Sequence, residues 1–280
     1  MSIAASVVLY NSDESVIGNI NTYIDQIDKL YIIDNSESVN DILVEHLRVN
    51  EKIEYIWLKG NLGIATALNV ACEKALADGH DYILMMDDDS RAVNNMVEQM
   101  LCYEREYPGL KIGIIAAQSD PNLFSEKIRS VWYTITSGSL MKLSAYKECG
   151  EFLEKLFIDA VDHEYCFRLK EKGYHIINLD YLHLEHSIGE LKELKLFNKT
   201  LYKWSSHNHI RMYYMMRNFL YVLTKYHNTI PIKTKILLYY SVSRACFFDA
   251  MLEDDKLRRI KFLGKAFKDY RRDNFGKITL

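Results

Sequence analysis

The chain has 280 residues, of which 49% are apolar and 12% aromatic, with only 3 prolines and 12 glycines. This composition can bury a large core, and it excludes a disordered, collagen-like or low-complexity protein. The net charge of −3 conceals an asymmetry, because residues 1–200 carry 19 basic and 32 acidic side chains whereas residues 201–280 carry 16 and 6. An excess of positive charge at one end indicates an anionic partner, either a membrane surface or nucleic acid.

The cysteines do not suggest a disulfide-bonded or zinc-binding protein. Their number is odd and no two form a Cys-x-x-Cys pair: Cys72, Cys102, Cys149, Cys166 and Cys246. We expect them to be free, buried thiols in a reducing compartment. The sequence also contains no run of about 18 uncharged apolar residues, so any membrane contact is predicted to be peripheral.

The first 120 residues alternate short apolar strands with amphipathic helices. The predicted strands are Ile3–Tyr10, Leu30–Asp34, Ile53–Leu58 and Tyr82–Met86, and the predicted helices are Asp13–Ile27, Asn40–Val49 and Gly63–Ala77. This alternation is typical of βαβ units and predicts an α/β fold, with a mostly parallel sheet flanked by helices. Ligands of such sheets bind beyond the carboxyl ends of the strands. Polar groups follow all four strands there: Asn11, Asp34–Asn35, Asn61 and Asp87–Asp88–Asp89.

Beyond Lys111 the pattern is less regular. We predict strands at Ile112–Ala117, Trp132–Leu140, His175–Asn178 and Tyr181–Leu184, and a helix at Val161–Glu171. After residue 205 the chain is predicted to be helical, and it ends with an amphipathic helix at Lys256–Tyr270. In this last helix Leu257, Ile260 and Phe267 share one face, and basic residues occupy the remainder.

Asp87, Asp88 and Asp89 form the strongest chemical signal. Three adjacent carboxylates repel one another unless a cation or protons compensate their charge. A hard divalent cation such as Mg²⁺ or Mn²⁺ prefers oxygen ligands and often shares its site with substrate phosphates. The structural alternative is an acidic cap on a helix that we predict to begin at Arg91. Because one acid would satisfy that role, three in a row favour a metal.

A strand that ends in Asp-x-Asp occurs in two kinds of enzyme. In phosphatases of the haloacid-dehalogenase type, the first Asp is a nucleophile near the N-terminus, and Thr or Val follows two residues after the second Asp. Here three βα units precede the motif, and Arg91 occupies that position. In nucleotide-sugar glycosyltransferases, the acids hold the metal that bridges a diphosphate. The preceding strands favour the second kind.

Seven segments, in order, resemble the family-2 glycosyltransferases of the GT-A fold. They are VVLYN (Val7–Asn11), IIDNS (Ile32–Ser36), NLGIATALNVA (Asn61–Ala71), DYILMMDDDS (Asp81–Ser90), ITSGSLM (Ile135–Met141), LFIDAVDHEYCFR (Leu156–Arg168) and LEHSIGE (Leu184–Glu190), with a weaker match in RMYYMMRN (Arg211–Asn218). The chain is most similar to the bacterial dTDP-rhamnosyltransferases of O-antigen, capsule and cell-wall polysaccharide synthesis. The family often has Gln at the position of Asp88, a difference that leaves Asp-x-Asp intact.

The resemblance implies a nucleotide-sugar site and a metal site. Asp34 matches the acid that contacts the base or ribose, and a side chain at Gly63 would obstruct the nucleotide. The implied nucleotide-sugar set is Tyr10, Asn11, Asp34, Asn61, Gly63, Asn69, Asp87, Asp88, Ser137 and Gly138, of which the last two, with Thr136, would lie beneath the donor sugar. The implied ligands of Mg²⁺ or Mn²⁺ are Asp87, Asp89 and His186.

An inverting transfer needs one carboxylate to take the proton of the acceptor hydroxyl. The segment FIDAVDHEYCFR offers three, and Asp162 matches the aspartate of the family motif, which makes it the predicted base. Asp159 and Glu164 are then predicted to orient the acceptor. Arg211 and Arg217 are predicted to meet the diphosphate of the acceptor. The alternative for the acids is an acidic first turn of a helix.

Together these features predict an inverting, metal-dependent glycosyltransferase. It would move L-rhamnose from dTDP-rhamnose to a lipid-linked or polysaccharide acceptor in bacterial surface glycan synthesis. The alternatives are a transferase with another donor, such as a UDP-hexose or galactofuranose, a haloacid-dehalogenase-type phosphatase, and a non-catalytic nucleotide-sugar-binding scaffold.

The predicted organisation has two parts. Residues 1–200 form the catalytic domain, with nucleotide-sugar binding in 1–120 and the acceptor and base in 121–200. The basic, tyrosine-rich region 201–280 is predicted to dock on an anionic membrane or on the acceptor, at the cytoplasmic face of the bacterial plasma membrane. A solvated face of a helical bundle or an oligomer contact is the alternative for this region. Nucleic acid is not expected as a partner, because no recognised binding motif accompanies the charge.

Overall fold

The structure is a computed structural model that describes residues 1–186, 191–196 and 199–279, and it describes only the backbone of residues 186, 191–196 and 199–205. The chain divides into two compact units. The first unit comprises Met1–Phe157 and Val161–His186. The second comprises Ile158–Ala160 and the described residues from 191 onward.

An eight-stranded sheet forms the centre of the first unit, and two short strands pair separately. In chain order the strands are β1 (Ile3–Leu9), β2 (Lys29–Asp34), β3 (Ile53–Trp57), β4 (Tyr82–Asp87), β5 (Ser90–Arg91), β6 (Ile112–Gln118), β7 (Ile128–Ser130), β8 (Ser139–Lys142), β9 (His175–His183) and β10 (Glu185–His186). The order across the large sheet is β3-β2-β1-β4-β8-β6-β9-β7. Only β8 and β7 run antiparallel to their neighbours. The predicted fold class, a mostly parallel α/β sheet, is therefore confirmed.

Six helices accompany the sheet within the described part of the first unit. They are α1 (Ser15–Ile20), α2 (Asp41–Leu47), α3 (Ile64–Ala77), α4 (Met96–Glu106), α5 (Leu143–Cys149) and α6 (Val161–Glu171). Strands β1, β2 and β4 are buried over most of their length, and residues such as Ala5, Leu30 and Ile83 are fully inaccessible, whereas β3 at the sheet edge is only partly buried. Apolar runs without alternation form such strands because helices cover both faces of a parallel sheet.

Four predicted elements differ from the observed ones. The helix predicted over Asp13–Ile27 is replaced by α1 and a 3₁₀ turn, because the hydroxyl of Thr22 donates to the Asn19 carbonyl and closes the helix early. The strand predicted over Trp132–Leu140 is restricted to β8, since Gly138 adopts a left-handed φ of 72° just before it. The two runs after residue 174 form the single strand β9.

The fourth difference concerns the residues after the acidic segment. The helix predicted to begin at Arg91 begins only at Met96, because Asn95 has a left-handed φ of 58°. Ser90 and Arg91 instead form β5, which pairs with β10. A helix cap is therefore not the reason for the three aspartates.

All five cysteines are free, as predicted, but Cys102 is exposed, whereas the sequence predicted buried thiols throughout.

The second unit contains a β-hairpin and three helices among its described residues. The hairpin joins β11 (Leu191–Leu196) and β12 (Lys199–Ser205), and the helices are α7 (His209–Lys225), α8 (Ile232–Leu252) and α9 (Lys256–Arg271). Helix α7 begins where the Asn208 side chain accepts a hydrogen bond from the backbone of Arg211 at 2.8 Å, and Pro231 precedes α8. No described helix combines the length and apolar character required to cross a bilayer.

Candidate active site

Three parallel strands bring the predicted nucleotide-sugar residues to one edge of the sheet. Asp34 is the last residue of β2, Asp87 is the last residue of β4, and β1 lies between these strands. The register aligns their ends, since Leu9 is opposite Asp34 and Val8 is opposite Asp87. Neighbouring strands lie about 4.8 Å apart, so the two acidic ends are separated by about 10 Å across the sheet.

The carboxylate of Asp34 is buried and held by two hydrogen bonds. The hydroxyl of Tyr55 on β3 donates to Oδ2 at 2.5 Å, and the backbone N–H of Ser36 donates to Oδ1 at 2.9 Å. Burial and the bond to Asp34 raise the pKa of Tyr55 above its usual range, so that Tyr55 remains a donor. Sequence reasoning identified Asp34 but not Tyr55, because the cross-strand pairing that joins them requires the sheet order.

Tyr10 and Asn11 follow β1 at the same edge. The ring of Tyr10 is 49% exposed. The backbone N–H of Asn11 donates to the Ser36 hydroxyl at 2.8 Å, and Asn11 adopts a left-handed φ of 54°. The segment after β1 is thus tied to the segment after β2, next to Asp34.

Asn61 lies in a turn that a second asparagine holds in place. The Asn35 side chain accepts from the backbone N–H of Leu62 at 2.8 Å and donates to Asn61 Oδ1 at 3.3 Å. Asn61 Oδ1 also accepts from the backbone N–H of Gly63 at 3.1 Å. These bonds fix the entrance to α3 beside the end of β2.

Gly63 is required by packing within the protein. Its φ is 94°, and an added Cβ would lie 2.6 Å from the carbonyl oxygen of Phe157. The same oxygen accepts from the backbone N–H of Ile64 at 2.8 Å. The Phe157 backbone is thus one reason for glycine here, and the closeness of Gly63 to the nucleotide stays a prediction.

Asn69 also differs from its predicted role. Its side chain is buried, accepts from the backbone N–H of Phe152 at 2.8 Å and donates to the Phe152 carbonyl at 3.0 Å. It therefore connects α3 to the loop after α5. A contact with the nucleotide is not what this geometry supports, because both ends of the amide already bind the backbone.

The acidic segment at the end of β4 is partly buried and strongly negative. Burial and the neighbouring carboxylate of Asp89 raise the pKa of Asp88, although a hydrogen bond from the Ser12 hydroxyl opposes this. The Asn19 side chain donates to the Asp88 carbonyl at 2.8 Å and fixes the backbone. Ser12 and Asn19 were not predicted, because their spacing from the acids in the sequence gives no sign of this contact.

Ser137 and Gly138 lie just before β8, and Ser137 supports the acidic segment. The Ser137 hydroxyl is buried, accepts from the backbone N–H of Asp87 at 3.0 Å and bonds to the Ser90 hydroxyl at 2.8 Å. A Cβ at Gly138 would lie 2.8 Å from a methyl group of Leu184. Ser137 therefore positions Asp87, and the place of both residues beneath the donor sugar stays a prediction.

The described part of the chain contains no cluster of three His, Cys, Asp or Glu side chains already arranged around a metal. The side chain of His186, a predicted ligand, lies outside the described residues. The backbone of His186 pairs with Ser90, the residue next to Asp89. Asp87 and Asp89 provide carboxylate oxygens, the ligands that a hard divalent cation prefers. The residues therefore fit Mg²⁺ or Mn²⁺.

Asp162 lies in the first turn of α6, partly exposed at 21% of its side chain. The backbone N–H of His163 lies 2.8 Å from Oδ1 and the ring Nδ1 lies 2.7 Å from the same oxygen. Burial raises the pKa of Asp162, but the charge and hydrogen bonds of His163 outweigh it and hold this pKa below its usual value. The carboxylate is thus kept ionised, as a base requires.

Glu164 does not have the exposure that its predicted role requires. It is fully buried, and its Oε2 accepts from the guanidinium of Arg168 at 2.6 Å. Arg168 also donates to the carbonyls of Cys149 and Glu151. Glu164 therefore pairs with the largely buried Arg168, and its role in orienting the acceptor stays a prediction.

Asp159, Arg211 and Arg217 belong to the second unit. Arg211 is half exposed and its Nε lies 3.3 Å from Asp159 Oδ1. Arg217 is 1% exposed and donates to the Tyr213 hydroxyl at 3.1 Å and the Gly276 carbonyl at 3.0 Å. Its guanidinium is buried inside this unit, and its contact with an acceptor diphosphate stays a prediction.

The comparisons with known proteins identify the class of protein as a glycosyltransferase. The profile described as glycosyl transferase family 2 matches residues 5–153. The chain belongs to glycosyl transferase family 2. Its sequence is 28% identical over 247 residues to the dTDP-rhamnosyl transferase RfbF of Shigella flexneri, covering 81% of each chain.

Solved structures share the fold at low sequence identity. Staphylococcus aureus TarS 1–349 in complex with UDP-GlcNAc matches with a TM-score of 0.65 and 16% identity, covering 96% of this chain and 81% of that one. A longer TarS structure matches with a TM-score of 0.63, and the chain spans only 49% of its length. GalNAc-T7 with UDP, GalNAc and Mn²⁺ matches with a TM-score of 0.61 and 11% identity, over 96% of this chain and 55% of that one.

Proposed function

We propose that the chain is an inverting, metal-dependent rhamnosyltransferase that uses dTDP-rhamnose. The observation that carries this proposal is an ionised, partly exposed base, Asp162, in the same unit as the acidic edge formed by Asp34 and Asp87. The similarity to RfbF, a dTDP-rhamnosyl transferase, supports the donor. A UDP-hexose or galactofuranose donor would bind at the same edge. The binding experiment described below distinguishes such a donor from dTDP-rhamnose.

The donor is proposed to lie along the carboxyl edge of the sheet. Asp34 would accept hydrogen bonds from the base or ribose, and the diphosphate would lie at Asp87 to Asp89. The separation of about 10 Å between the ends of β2 and β4 suits a ligand with a nucleoside at one end and a diphosphate at the other. Tyr10 and Asn61 border this edge from the segments after β1 and β3.

The metal would be held by Asp87 and Asp89, with His186 as a further ligand. When bound, Mg²⁺ or Mn²⁺ supplies positive charge that stabilises the diphosphate leaving group. The protein positions these acids through Ser137, which accepts from the Asp87 backbone, and through Ser12 and Asn19 at Asp88.

Asp162 is proposed to remove the proton of the acceptor hydroxyl. Its Oδ1 is held by His163, so Oδ2 takes the proton. The acceptor oxygen then forms a bond to the anomeric carbon from the face opposite the diphosphate. The bond from that carbon to the diphosphate oxygen breaks, and the nucleoside diphosphate leaves with its electron pair. The configuration is inverted in this single step, without a covalent enzyme intermediate.

The acceptor is proposed to be a lipid-linked or polysaccharide glycan of the bacterial surface, built at the cytoplasmic face of the plasma membrane. Residues 121–200 contribute the base to this step, and residues 201–280 are proposed to dock on the acceptor or on an anionic membrane. In the second unit, we propose that the half-exposed Arg211, which lies beside Asp159, contacts the acceptor.

The decisive experiment compares transfer and binding in the full chain. Asp162→Asn should lower transfer from dTDP-rhamnose to membrane-extracted acceptor by a factor of about 10² to 10⁴, the usual contribution of a general base. Binding of dTDP-rhamnose with Mn²⁺ should be unchanged. It can be measured as a thermal shift, because a ligand that binds only the folded state raises the stability of that state.

Asp25→Asn is the matched control, because Asp25 is an exposed aspartate on the 3₁₀ turn after α1. Retained transfer in Asp162→Asn would remove Asp162 from the mechanism. A phosphorylated enzyme dependent on Asp87 would favour the phosphatase instead. A larger thermal shift with UDP-hexoses or UDP-galactofuranose than with dTDP-rhamnose would overturn the donor.

A further inference from the structure

Helix α8 exposes an apolar stripe on the side opposite its buried residues. Its inward side chains include Leu238, Val242 and Cys246, at four-residue spacing. The outward stripe follows spacings of four, seven and four residues, which place side chains on one face of a helix. Its members, Ile236, Tyr240, Phe247 and Met251, are 59%, 62%, 59% and 48% exposed. Four large apolar side chains on one outward face indicate an interaction site.

On α8 and α9 the acidic side chains are buried and the exposed charged side chains are basic. The two acidic residues of these helices are buried: Asp249 lies 3.0 Å from the ring Nδ1 of His207, and Asp269 lies 2.9 Å from the ammonium of Lys265. The exposed charged residues are cationic and include Lys233, Arg244, Lys256, Arg258, Lys261 and Lys268. The outward surface of both helices is therefore apolar and positive.

A groove on α9 combines the same two properties. It is an open cavity of about 450 Å³ lined by Phe267, Lys268, Arg271 and Arg272, together with Gly264. Phe267 and Leu257 on this helix are 46% and 86% exposed. Three cations around an aromatic ring suit a phosphate group that is attached to an apolar chain.

We propose that the outward faces of α8 and α9 dock on an anionic lipid surface. The apolar stripe of α8 would enter the headgroup region, and the lysines and arginines would contact lipid phosphates. A second copy of this chain is the less suitable occupant, because it would bring the same cations together. The choice of a lipid surface rests on the lipid-linked acceptor proposed above, but the contact itself requires no sugar transfer.

The test is co-sedimentation of the full chain with vesicles of phosphatidylcholine, with and without phosphatidylglycerol. The wild-type chain should bind the anionic vesicles, and salt should weaken this binding. Ile236→Glu with Phe247→Glu should weaken it by about tenfold or more, because two apolar side chains lose their burial. Arg258→Ala or Lys261→Ala should weaken it by about fivefold each.

Ile42→Glu is the matched control, since Ile42 is an exposed isoleucine of α2, at 60%, in the first unit. It should bind vesicles as the wild type does. Wild-type levels of binding in the α8 variant, or no binding by the wild-type chain, would overturn the proposal. A dimer in analytical ultracentrifugation that the α8 variant dissociates would assign the stripe to a second copy.

Binding of dTDP-rhamnose separates this proposal from the proposed function. The α8 and α9 variants should bind the nucleotide sugar with unchanged affinity, since the acidic edge lies in the first unit. A chain that binds vesicles but not nucleotide sugars would contradict the transferase alone. One that binds nucleotide sugars but not vesicles would contradict the docking surface alone.

Discussion

The ring Nδ1 of His163 lies 2.7 Å from Asp162 Oδ1, and this ring stacks on Tyr133 with 4.5 Å between the centroids. Phe167, one turn further along α6, contacts the other edge of the imidazole. His163 is thereby fixed between two aromatic rings and holds one oxygen of the base. Burial acts to raise the pKa of Asp162, and His163 reverses this. His163 is a positioning residue for the proposed base.

The pH profile of transfer should reveal this role. In His163→Phe the aromatic stack is retained and the backbone N–H still donates to Asp162, but the charge and hydrogen bond of the imidazole are lost, so the pKa of the carboxyl rises. The base must be ionised to act, and the acidic limb of kcat/KM should therefore move to higher pH. At pH values above this limb the activity should largely recover.

His163→Asn separates the hydrogen bond from the charge. The Asn Nδ2 occupies the place of the ring Nδ1 and can donate to Oδ1 but cannot titrate. The acidic limb of the kcat/KM profile of His163→Asn should lie between the limbs of the wild type and His163→Phe. His183→Phe replaces a histidine that stacks on Phe124 instead, and it should leave the profile unchanged. A uniform loss of activity at every pH in His163→Phe would contradict the assigned role.

Tyr55→Phe should weaken nucleotide binding. The change removes the 2.5 Å hydrogen bond to Asp34 Oδ2 and leaves the carboxylate held only by the Ser36 backbone. A hydrogen bond to a charged group contributes about 1.5 to 3 kcal/mol, and we expect the dissociation constant for dTDP, measured by calorimetry, to rise by about tenfold.

A second tyrosine–aspartate pair provides the control. The hydroxyl of Tyr31, on β2, donates at 2.6 Å to Oδ2 of Asp78, which follows α3. Tyr31→Phe removes a similar bond that does not involve Asp34, so it should change thermal stability but not dTDP affinity. Equal effects of the two variants on dTDP binding would show that Tyr55 acts only through stability.

The sequence allowed the strands and the acids to be predicted because both are local signals. Apolar runs such as Ile3–Leu9 and Tyr82–Asp87 match a parallel sheet, and the residues directly after them must lie at its carboxyl edge. The position of Asp34 and Asp87 therefore followed from chain order alone. The left-handed residues Asn95 and Gly138 interrupted elements that periodicity had predicted to continue.

Roles that depend on distant partners could not be predicted in this way. Glu164 and Asp162 lie in the same acidic turn, and only the three-dimensional structure distinguishes the buried partner of Arg168 from the partly exposed base. Asn69 was assigned to the ligand because it matches the family segment that faces the nucleotide. Its partner, Phe152, lies 83 residues away in the sequence.

Removal of divalent cations should abolish transfer, and Mn²⁺ or Mg²⁺ should restore it. Asp89→Asn should raise the Mn²⁺ concentration required for half-maximal activity by at least tenfold, since a carboxylate ligand is lost. Asp81→Asn, which alters an exposed aspartate just before β4, is the control and should have no effect. Full activity of the chelated wild-type enzyme would contradict the metal requirement.

Glu164→Gln should destabilise the protein without moving the pH profile of transfer. It leaves the largely buried Arg168 guanidinium without its carboxylate, and loss of one partner from a buried pair costs about 3 kcal/mol of unfolding free energy. Chemical denaturation should show this loss. Glu98→Gln removes the exposed pair with Arg105 on α4 and should cause no measurable change. A shifted profile in Glu164→Gln would return Glu164 to the acceptor site.

Gly63→Ala should show whether the nucleotide edge depends on the contact between α3 and Phe157. The new methyl group would meet the Phe157 carbonyl oxygen at 2.6 Å, and φ at this position is 94°. We expect a loss of about 2 to 4 kcal/mol in unfolding free energy, together with weaker dTDP binding, because Asn61 is hydrogen-bonded to this residue.

Gly60→Ala is the control that measures the cost of a positive φ alone, since Gly60 has a φ of 141° and an added Cβ would have no atom within 4 Å. It should cost only about 1 kcal/mol. Equal losses in the two variants would mean that the positive φ, and not the Phe157 contact, makes glycine necessary at position 63.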